Sequence, residues 1–319
     1  MQITTLGKSG IQISPVVMGT WQAGKEMWAG IDDAESVRAI QAAVDAGINA
    51  IDTAEAYGKG HSERIVGRAV QGIRDKVVLA TKVFPNHFKY DQVLHSCEKS
   101  LKNLGTDTID LYQLHWPSGS FGTKTVPIEE TMSAMNKLKD QGKIRAIGVS
   151  NFSSKQIETA AAHGTIDSLQ PPYSLFWRQI EAHELPYCAQ NNIAVLAYSS
   201  MAQGILAGRF GRRPFFEKGD HRAKNRLFNP DIYPHVLKAL DALQPIAAAH
   251  GISLGQLALA WVISHPGVCA IAGARNETQA KQNAQAMSVT LTQEDLDRID
   301  AIGRSVTDLL DEDPVLWKF

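Results

Sequence analysis

Eight short apolar segments, separated by helical patterns, constrain the fold of this chain more than any other feature. Each has the length of a buried strand. Most intervals between their starts are 23 to 35 residues, which a strand, a crossover helix and two short loops fill. The pattern therefore predicts parallel strands joined by helices. The segments start at Val16, Ile48, Val77, Ile109, Ile144, Asp167, Ile193 and Val268.

The helical patterns are bounded by residues that favour helix ends. In residues 32–47, apolar side chains recur at intervals of three and four residues, as on one face of a helix. Asp32 and Asp33 are candidate N-caps before this pattern, and Gly47 after it suits a left-handed C-terminal position. Strand–helix units with continuously apolar strands favour one closed (β/α)8 TIM barrel, in the α/β class. An open doubly wound sheet is the alternative, and the missing Gly-x-Gly-x-x-Gly signature after the first strand weakens it.

Two irregular segments complete the single domain expected over residues 1–319. Residues 2–14 predict an N-terminal β-hairpin ahead of the barrel. A long loop follows the seventh strand, from Ser199 to Pro230, with glycines at 204, 208, 211 and 219 and a basic cluster at 209, 212 and 213. Long glycine-rich loops on the catalytic side of a barrel are usually functional. A passive flexible insertion is the alternative.

Polar residues follow the carboxyl end of each predicted strand. Asp52 or Tyr57 taken singly could be a turn cap or a packed aromatic, but the ends of all eight strands meet at one face of a barrel, where TIM barrels carry their active sites. The sequence therefore predicts a site at that face. Its candidates, in strand order, are Gly19, Thr20 and Trp21; Asp52 and Tyr57; Lys82; His115; Ser150 and Asn151; Gln170; Tyr198; and Arg275.

These motifs resemble those of the aldo-keto reductase family. The family's catalytic tetrad of Asp, Tyr, Lys and His is matched by Asp52-Thr-Ala-Glu-Ala-Tyr57, by Thr81-Lys82 and by Leu114-His115-Trp-Pro. The likeness extends through Gly148-Val-Ser-Asn-Phe152, Gln170-Pro171 and Gly273-Ala-Arg275. It implies an NADPH-dependent oxidoreductase that reduces aldehydes and ketones to alcohols.

The four tetrad residues suit hydride transfer to a carbonyl, because a proton must reach the oxygen as negative charge grows there. We expect Tyr57 to be the general acid and Lys82 to lower its pKa. Asp52 would pair with Lys82, and His115 would donate a hydrogen bond to the carbonyl oxygen. This chemistry requires no metal.

The resemblance also implies a bound NADPH or NADP+. Ser150, Asn151 and Gln170 match residues that hold the carboxamide, and Tyr198 matches the aromatic that stacks on the nicotinamide. The segment 206–209 resembles the loop over the pyrophosphate, and the last motif resembles the 2′-phosphate pocket. The expected cofactor contacts are Gly19, Thr20, Trp21, Asp52, Ser150, Asn151, Gln170, Tyr198, Ser199, Gln203, Gly204, Leu206, Gly208, Arg209, Gly273, Ala274, Arg275, Gln279 and Asn283.

Composition limits the partners. The formal net charge is -1, with 32 basic and 33 acidic residues and no long run of like charge, which argues against nucleic acid or a membrane surface as partner. The three cysteines form no metal-type pair, and we expect a cytoplasmic protein. A small carbonyl compound is the expected substrate, with walls from Trp21, Trp28, Phe84, Trp116, Phe215 and Phe216 that suit apolar or aromatic aldehydes. The oligomeric state stays open.

Two other functions remain open. One is a cofactor-binding regulatory or redox-sensing subunit that resembles potassium-channel β subunits, which keep the same residues. The other is a barrel isomerase or lyase that uses the same lysine and histidine.

Overall fold

Eight parallel strands close into a barrel. The computed structural model describes residues 3–26, 28–313 and 315. The barrel strands are β3 (Val16–Gly19), β4 (Ala50–Asp52), β5 (Val78–Val83), β6 (Ile109–Leu114), β7 (Ile144–Ser150), β8 (Ser168–Gln170), β9 (Ala194–Ala197) and β10 (Val268–Gly273). Each pairs with the next in chain order, and β10 pairs with β3. The predicted (β/α)8 TIM barrel is confirmed, and the open sheet is excluded.

The predicted hairpin precedes the barrel as two short antiparallel strands, β1 (Thr4–Thr5) and β2 (Gln12–Ile13). Residue 2, where the prediction began, lies outside the described residues. Gly7 in the turn has φ +53°, and a Cβ there would lie 2.1 Å from the carbonyl oxygen of Asp167. The turn therefore requires glycine both for its conformation and for its close approach to the start of β8.

Helices surround the barrel and begin and end largely where the sequence indicated. Asp32 caps the first helix by accepting a hydrogen bond from the Glu35 amide, and Gly47 follows that helix with φ +97°. Helices α7 and α8 both lie between β9 and β10. The helices are α1 (Asp33–Asp45), α2 (His61–Ala69), α3 (Tyr90–Leu104), α4 (Ile128–Asp140), α5 (Ser154–Ala161), α6 (Glu184–Gln190), α7 (Tyr233–Ala249), α8 (Leu254–Ile263), α9 (Glu277–Gln285) and α10 (Gln293–Thr307).

Among the described residues, no single helix is long and apolar enough to cross a membrane. Helices α7 and α8 meet the length and composition requirement only as a pair, and that pair is bent by 85°.

The buried apolar side chains form two clusters, because alternate residues of each strand point to opposite faces. The larger cluster joins the strands to the helices. The smaller cluster lies inside the barrel, where the hairpin contributes Leu6, Ile11 and Ile13. The barrel strands add Val17, Ala50, Ala80, Leu111, Ala146, Ala194, Leu196, Cys269 and Ile271 to it. The hairpin thus seals one end of the barrel, and polar groups can enter its interior only at the other end.

Asp110 on β6 is a buried carboxylate at the N-terminal end of the barrel, 2% exposed. Its Oδ2 accepts hydrogen bonds from the Leu79 amide at 2.9 Å and from Arg74 at 2.8 Å, and its Oδ1 accepts one from Arg145 at 2.6 Å. The carboxylate thereby joins three successive barrel strands and the turn before β5.

We predict that Asp110→Ala lowers the free energy of unfolding by about 2 to 3 kcal/mol, because the buried Leu79 amide loses its acceptor. The shift of the urea unfolding midpoint measures this loss. Glu98→Ala is the matched control, since Glu98 pairs with Lys143 on the surface and such pairs contribute about 0 to 1 kcal/mol. Equal midpoints for the two variants would contradict the structural role of Asp110.

Candidate active site

A buried ion pair forms the centre of the site. Lys82 near the end of β5 is fully buried, and Asp52 at the end of β4 is 3% exposed. The Lys82 ammonium donates to Asp52 Oδ2 at 2.7 Å and to the Thr53 carbonyl at 2.7 Å. Burial lowers the pKa of Lys82, while the charge of Asp52 opposes that shift. The expected Asp52–Lys82 pair is therefore present.

Two glutamines complete the shell of Asp52. Gln170 Nε2 donates to Asp52 Oδ1 at 2.8 Å, and Gln113 Nε2 approaches the same oxygen at 3.4 Å. Gln113 was not among the sequence candidates. Gly148 leaves room for it, because a Cβ there would lie 2.9 Å from Gln113 Cγ and 2.3 Å from Ser168 Oγ. In this structure the Gln170 amide nitrogen thus binds Asp52, so only its side-chain oxygen is left for another partner.

Tyr57 lies above this pair, in the loop that leaves β4. The Lys82 nitrogen is 5.1 Å from the centre of the Tyr57 ring. Burial is the main cause that raises the pKa of Tyr57 well above its usual value, and the charge of Asp52 adds to it. Any lowering of this pKa by Lys82 is outweighed here by burial and by the charge of Asp52, so the tuning role of Lys82 stays a prediction. The phenol therefore keeps its proton throughout the neutral range.

His115 stands beside Tyr57, with ring centres 5.7 Å apart and an interplanar angle of 79°. Burial, and secondarily the positive charge of Lys82, hold the pKa of His115 well below its usual range. The imidazole is therefore neutral, with one nitrogen that can donate and one that can accept. Its buried Nδ1 has no hydrogen-bond partner among the described residues.

Glycines let the first loop, which comprises residues 20–26 and 28–32, lie directly on the Tyr57 loop. A Cβ at Gly24 would lie 2.8 Å from the carbonyl carbon of Tyr57, and a Cβ at Gly58 would lie 2.3 Å from the carbonyl oxygen of Gly24. Thr20 adds a hydrogen bond from its hydroxyl to the Asp52 carbonyl at 2.9 Å. The position of Tyr57 thus depends on main-chain contact with the loop that follows β3.

A hydrogen-bonded chain runs along the opposite side of the barrel mouth. The Tyr198 hydroxyl donates to Asn151 Oδ1 at 2.9 Å. The Asn151 amide donates to the His115 carbonyl at 3.1 Å and to Ser150 Oγ at 3.0 Å, and Ser150 Oγ donates to the Gln170 carbonyl at 2.8 Å. Asn151 adopts the left-handed conformation, with φ +62°, which asparagine tolerates. These four predicted cofactor residues lie together.

The turn from Gly273 to Arg275 connects β10 to α9. Gln279 Oε1 accepts from the Arg275 amide at 3.0 Å, and the Asn283 amide donates to the Gly273 carbonyl at 3.1 Å. Both side chains therefore hold the turn in shape. On its other side, Gln22 donates to the carbonyls of Gly19 and Ala274 at 3.1 and 3.0 Å. The Arg275 side chain is left to project from a fixed backbone.

The long loop from Ser199 to Pro230, termed the excursion below, is an ordered element. Ser199, Gln203, Gly204 and Gly208 all have positive φ, from +55° to +99°, so its start is tightly turned. Phe210, Phe216, Phe228 and Tyr233 pack together, with ring centres 4.9 to 5.4 Å apart in the contacting pairs. Leu206 is buried in the main core, so only its backbone can face a cofactor. Arg209 is exposed.

Aromatic side chains lie next to the rings of Tyr57 and His115. Trp21 lies 6.3 Å from Tyr57, and Phe84 lies 5.7 Å from His115, centre to centre. Trp116 belongs to the same wall through Phe121, which stacks on Phe84 at 5.5 Å and meets Trp116 at 5.1 Å. These contacts support three of the expected wall residues, Trp21, Phe84 and Trp116.

Two of the expected wall residues, Phe215 and Phe216, lie elsewhere, and Trp28 has contacts in both regions. Phe215 is 84% exposed, and Phe216 belongs to the aromatic cluster of the excursion. The Trp28 ring lies under Arg222 and Arg275, although one edge meets Trp21. The physical reason is that the excursion packs Phe216 into its own aromatic cluster, leaves Phe215 in solvent and turns Arg222 toward the first loop.

Sequence reasoning missed four residues that the fold brings to the site. Gln113 was detectable as a polar residue in an otherwise apolar part of β6. Phe121, His221 and Arg222 lie in loops, where no periodicity indicates direction. His221 contacts Trp21 at 5.7 Å between ring centres.

Comparison with known proteins covers nearly the whole chain. A family model described as the aldo/keto reductase family matches residues 15–304. An aldo-keto reductase of Bacillus subtilis (strain 168) is 41% identical over 314 residues, covering 95% of this chain and 93% of that protein. An NADH-specific methylglyoxal reductase of Escherichia coli (strain K12) is 33% identical over 318 residues, covering 92% and 96%. A probable voltage-gated potassium channel subunit beta of Oryza sativa subsp. japonica is 33% identical over 328 residues, covering 96% and 97%.

Solved structures agree in fold. The glycerol dehydrogenase from Gluconobacter oxydans superposes with a TM-score of 0.85 at 36% identity, covering 94% of this chain and 95% of that one. An aldo-keto reductase from Klebsiella pneumoniae in complex with NADPH superposes with a TM-score of 0.76 at 33% identity, covering 100% and 99%.

The buried pair makes a testable prediction about stability. Asp52→Asn or Lys82→Met alone leaves one charge buried without its partner, and each should cost about 3 to 5 kcal/mol of unfolding free energy. The double variant Asp52→Asn with Lys82→Met should be clearly more stable than the sum of the single changes predicts. Chemical denaturation of all four proteins gives the coupling energy. Additive losses would show that the two side chains act independently.

Proposed function

This chain belongs to the aldo/keto reductase family of oxidoreductases, and we propose that it reduces aldehydes and ketones to alcohols with NADPH, using Tyr57 as general acid. One observation carries the proposal. A protonated phenol, a neutral imidazole and a buried, paired ammonium converge at the carboxyl ends of three consecutive strands, β4 to β6. An oxidoreductase with a barrel fold needs such groups at that face to donate hydrogen bonds and a proton to a carbonyl oxygen.

The residues at the barrel mouth fit a phosphate-bearing dinucleotide. One nitrogen of the Arg275 guanidinium, Nη2, is buried with no hydrogen-bond partner among the described residues, so it can donate to an added acceptor. Burial lowers the pKa of Arg275, and the positive charges of Arg222 and Arg209 add to that shift. An anion there would relieve both the missing hydrogen bond and the repulsion. When bound, the nicotinamide supplies the hydride.

Tyr57 and His115 divide the work on the carbonyl oxygen. The Tyr57 phenol transfers its proton to that oxygen as negative charge develops, because its raised pKa keeps it protonated until then. The neutral imidazole of His115 donates a hydrogen bond to the same oxygen and fixes the direction of the carbonyl.

Lys82 and Asp52 support Tyr57 after the proton leaves. The ammonium lies under the phenol ring, where it stabilises the phenolate that proton transfer produces. Asp52 and the Thr53 carbonyl hold it there. The aromatic wall of Trp21, Phe84 and Trp116 excludes water and favours an apolar or aromatic aldehyde.

A regulatory cofactor-binding subunit remains the second candidate. The potassium channel subunit of Oryza sativa and the two bacterial reductases all resemble this chain at 33% identity or more. These resemblances therefore do not favour the regulatory function over catalysis. Turnover decides between the two functions, because a redox sensor can bind cofactor without cycling it.

We predict that Tyr57→Phe reduces carbonyl turnover by at least ~100-fold while NADPH affinity stays nearly unchanged, because only the acidic proton is lost. NADPH consumption with a panel of aldehydes measures the rate, and fluorescence titration measures binding. Turnover of ~1 per second or more by the wild-type protein on a good substrate would support an enzyme over a sensor. A variant that retains a tenth of that rate would show that another group supplies the proton.

We predict that the protein binds NADPH about 10- to 100-fold more tightly than NADH, because the Arg275 guanidinium meets only the 2′-phosphate with a charged hydrogen bond. Because one relative is described as NADH-specific, the cofactor preference of this chain has to be measured directly. Arg275→Ala should remove most of the difference without changing NADH affinity. Titration of both proteins with both cofactors measures it, and equal affinities in the unchanged protein would refute the preference.

A further inference from the structure

One indole ring connects the first loop to the excursion and to β10. The Arg222 guanidinium carbon lies 5.3 Å from the centre of the Trp28 ring, and that of Arg275 lies 5.8 Å from it. The three residues come from the loop after β3, the loop after β9 and the end of β10. Two guanidinium groups thus share one aromatic ring at the edge of the barrel mouth, and the space between the first loop and the excursion is termed the groove below.

Two buried donors in this group have no hydrogen-bond partner among the described residues. They are the Trp28 indole Nε1 and the Arg275 guanidinium Nη2. A buried donor without an acceptor costs about 1 to 3 kcal/mol. Both costs disappear when an acceptor with several oxygens enters beside the ring, and a phosphate group provides such oxygens.

The surrounding charges leave an excess of positive charge. The groups that act on Arg275 are Arg222 and Arg209, which repel it, and Asp220 and Glu217, which attract it. Asp220 is already engaged, because its carboxylate accepts from Arg222 Nε at 2.9 and 3.1 Å. Three guanidinium groups therefore stand against two carboxylates. Because Asp220 accepts from Arg222 Nε and Nη2, an added anion would meet Arg222 through its remaining nitrogen, Nη1.

The excursion is positioned by the same contacts. The Arg222 guanidinium carbon also lies 5.5 Å from the centre of the Phe210 ring, inside the aromatic cluster. Its neighbour His221 meets Trp21 at 5.7 Å. The short helical turn from His221 to Lys224 thus lies against the first loop, next to the residue that contacts Tyr57.

We propose that Arg222 and Trp28 join Arg275 to form a closing site for the 2′-phosphate of the cofactor. The inference rests on the proposed function, and it adds one residue from the first loop and one from the excursion. The site is complete only while the turn from His221 to Lys224 lies against the first loop. Binding of the 2′-phosphate therefore holds the excursion over the groove. The preference for NADPH over NADH and the rate of NADPH release then depend on the same contacts of Arg222, Trp28 and Arg275.

Adenosine 2′,5′-bisphosphate and adenosine 5′-monophosphate separate this site from the catalytic groups, because neither contains nicotinamide. By calorimetric titration the wild-type protein should bind the bisphosphate ~10-fold or more tightly than the monophosphate. Arg222→Gln and Trp28→Leu should each remove most of that difference and leave the monophosphate affinity unchanged. Lys224→Gln is the matched control: it removes one charge from an exposed residue of the same turn and should change neither affinity.

The outcomes distinguish the two proposals. Equal binding of both nucleotides by the wild-type protein would reject the proposed cofactor preference itself. If Arg275→Ala abolishes the difference between the bisphosphate and monophosphate affinities and Arg222→Gln retains it, only the closing site is rejected. Equal loss of both nucleotides in Arg222→Gln would overturn it as well, since Arg222 would then support the loop and not the phosphate.

Hydrogen exchange gives a second measurement that does not depend on affinity. Exchange in residues 217–224 should slow when the bisphosphate is added to the wild-type protein, and should change much less with the monophosphate at equal saturation. Exchange in the barrel strands should stay constant. Equal protection by the two nucleotides would mean that the adenosine, and not the 2′-phosphate, holds the excursion.

Discussion

The buried ion pair between Asp52 and Lys82 is the interaction on which the rest of the site depends. Two charges inside a barrel are costly unless every hydrogen-bonding position is used, and here Gln113, Gln170 and the Thr53 carbonyl use them. The pair ties together the ends of neighbouring strands. Tyr57 follows Asp52 by one short loop, so the phenol takes its position from the pair beneath it.

The barrel supports that pair because its interior is divided into an apolar layer and a polar layer. Ala50, Ala80 and Leu111 belong to the sealed apolar layer. Two residues later on the same strands stand Asp52, Lys82 and Gln113, because every second residue of a strand faces the interior. The hairpin closes the apolar end, so the polar layer opens only at the carboxyl ends of the strands, where the loops can cover it.

Relatives described with different roles share the whole of this fold. The NADH-specific reductase and the potassium channel subunit resemble this chain over nearly its full length, so the shared barrel does not set cofactor choice or role. In this protein the first loop and the excursion meet through Trp21 with His221 and Trp28 with Arg222. These contacts connect the loops that lie next to Tyr57 and next to Arg275.

The sequence by itself determined the barrel, its strand order and the placing of Asp52, Tyr57, Lys82 and His115 at one end of it, because strand and helix periodicities are local and all strand ends of a closed barrel share one face. Only the tertiary structure decided that Gln113 joins the ion pair, that burial raises the pKa of Tyr57, and that Trp28 lies under two arginines. These facts depend on burial and on contacts between residues far apart in the chain, and loop residues such as Arg222 carry no periodic signal that fixes their direction.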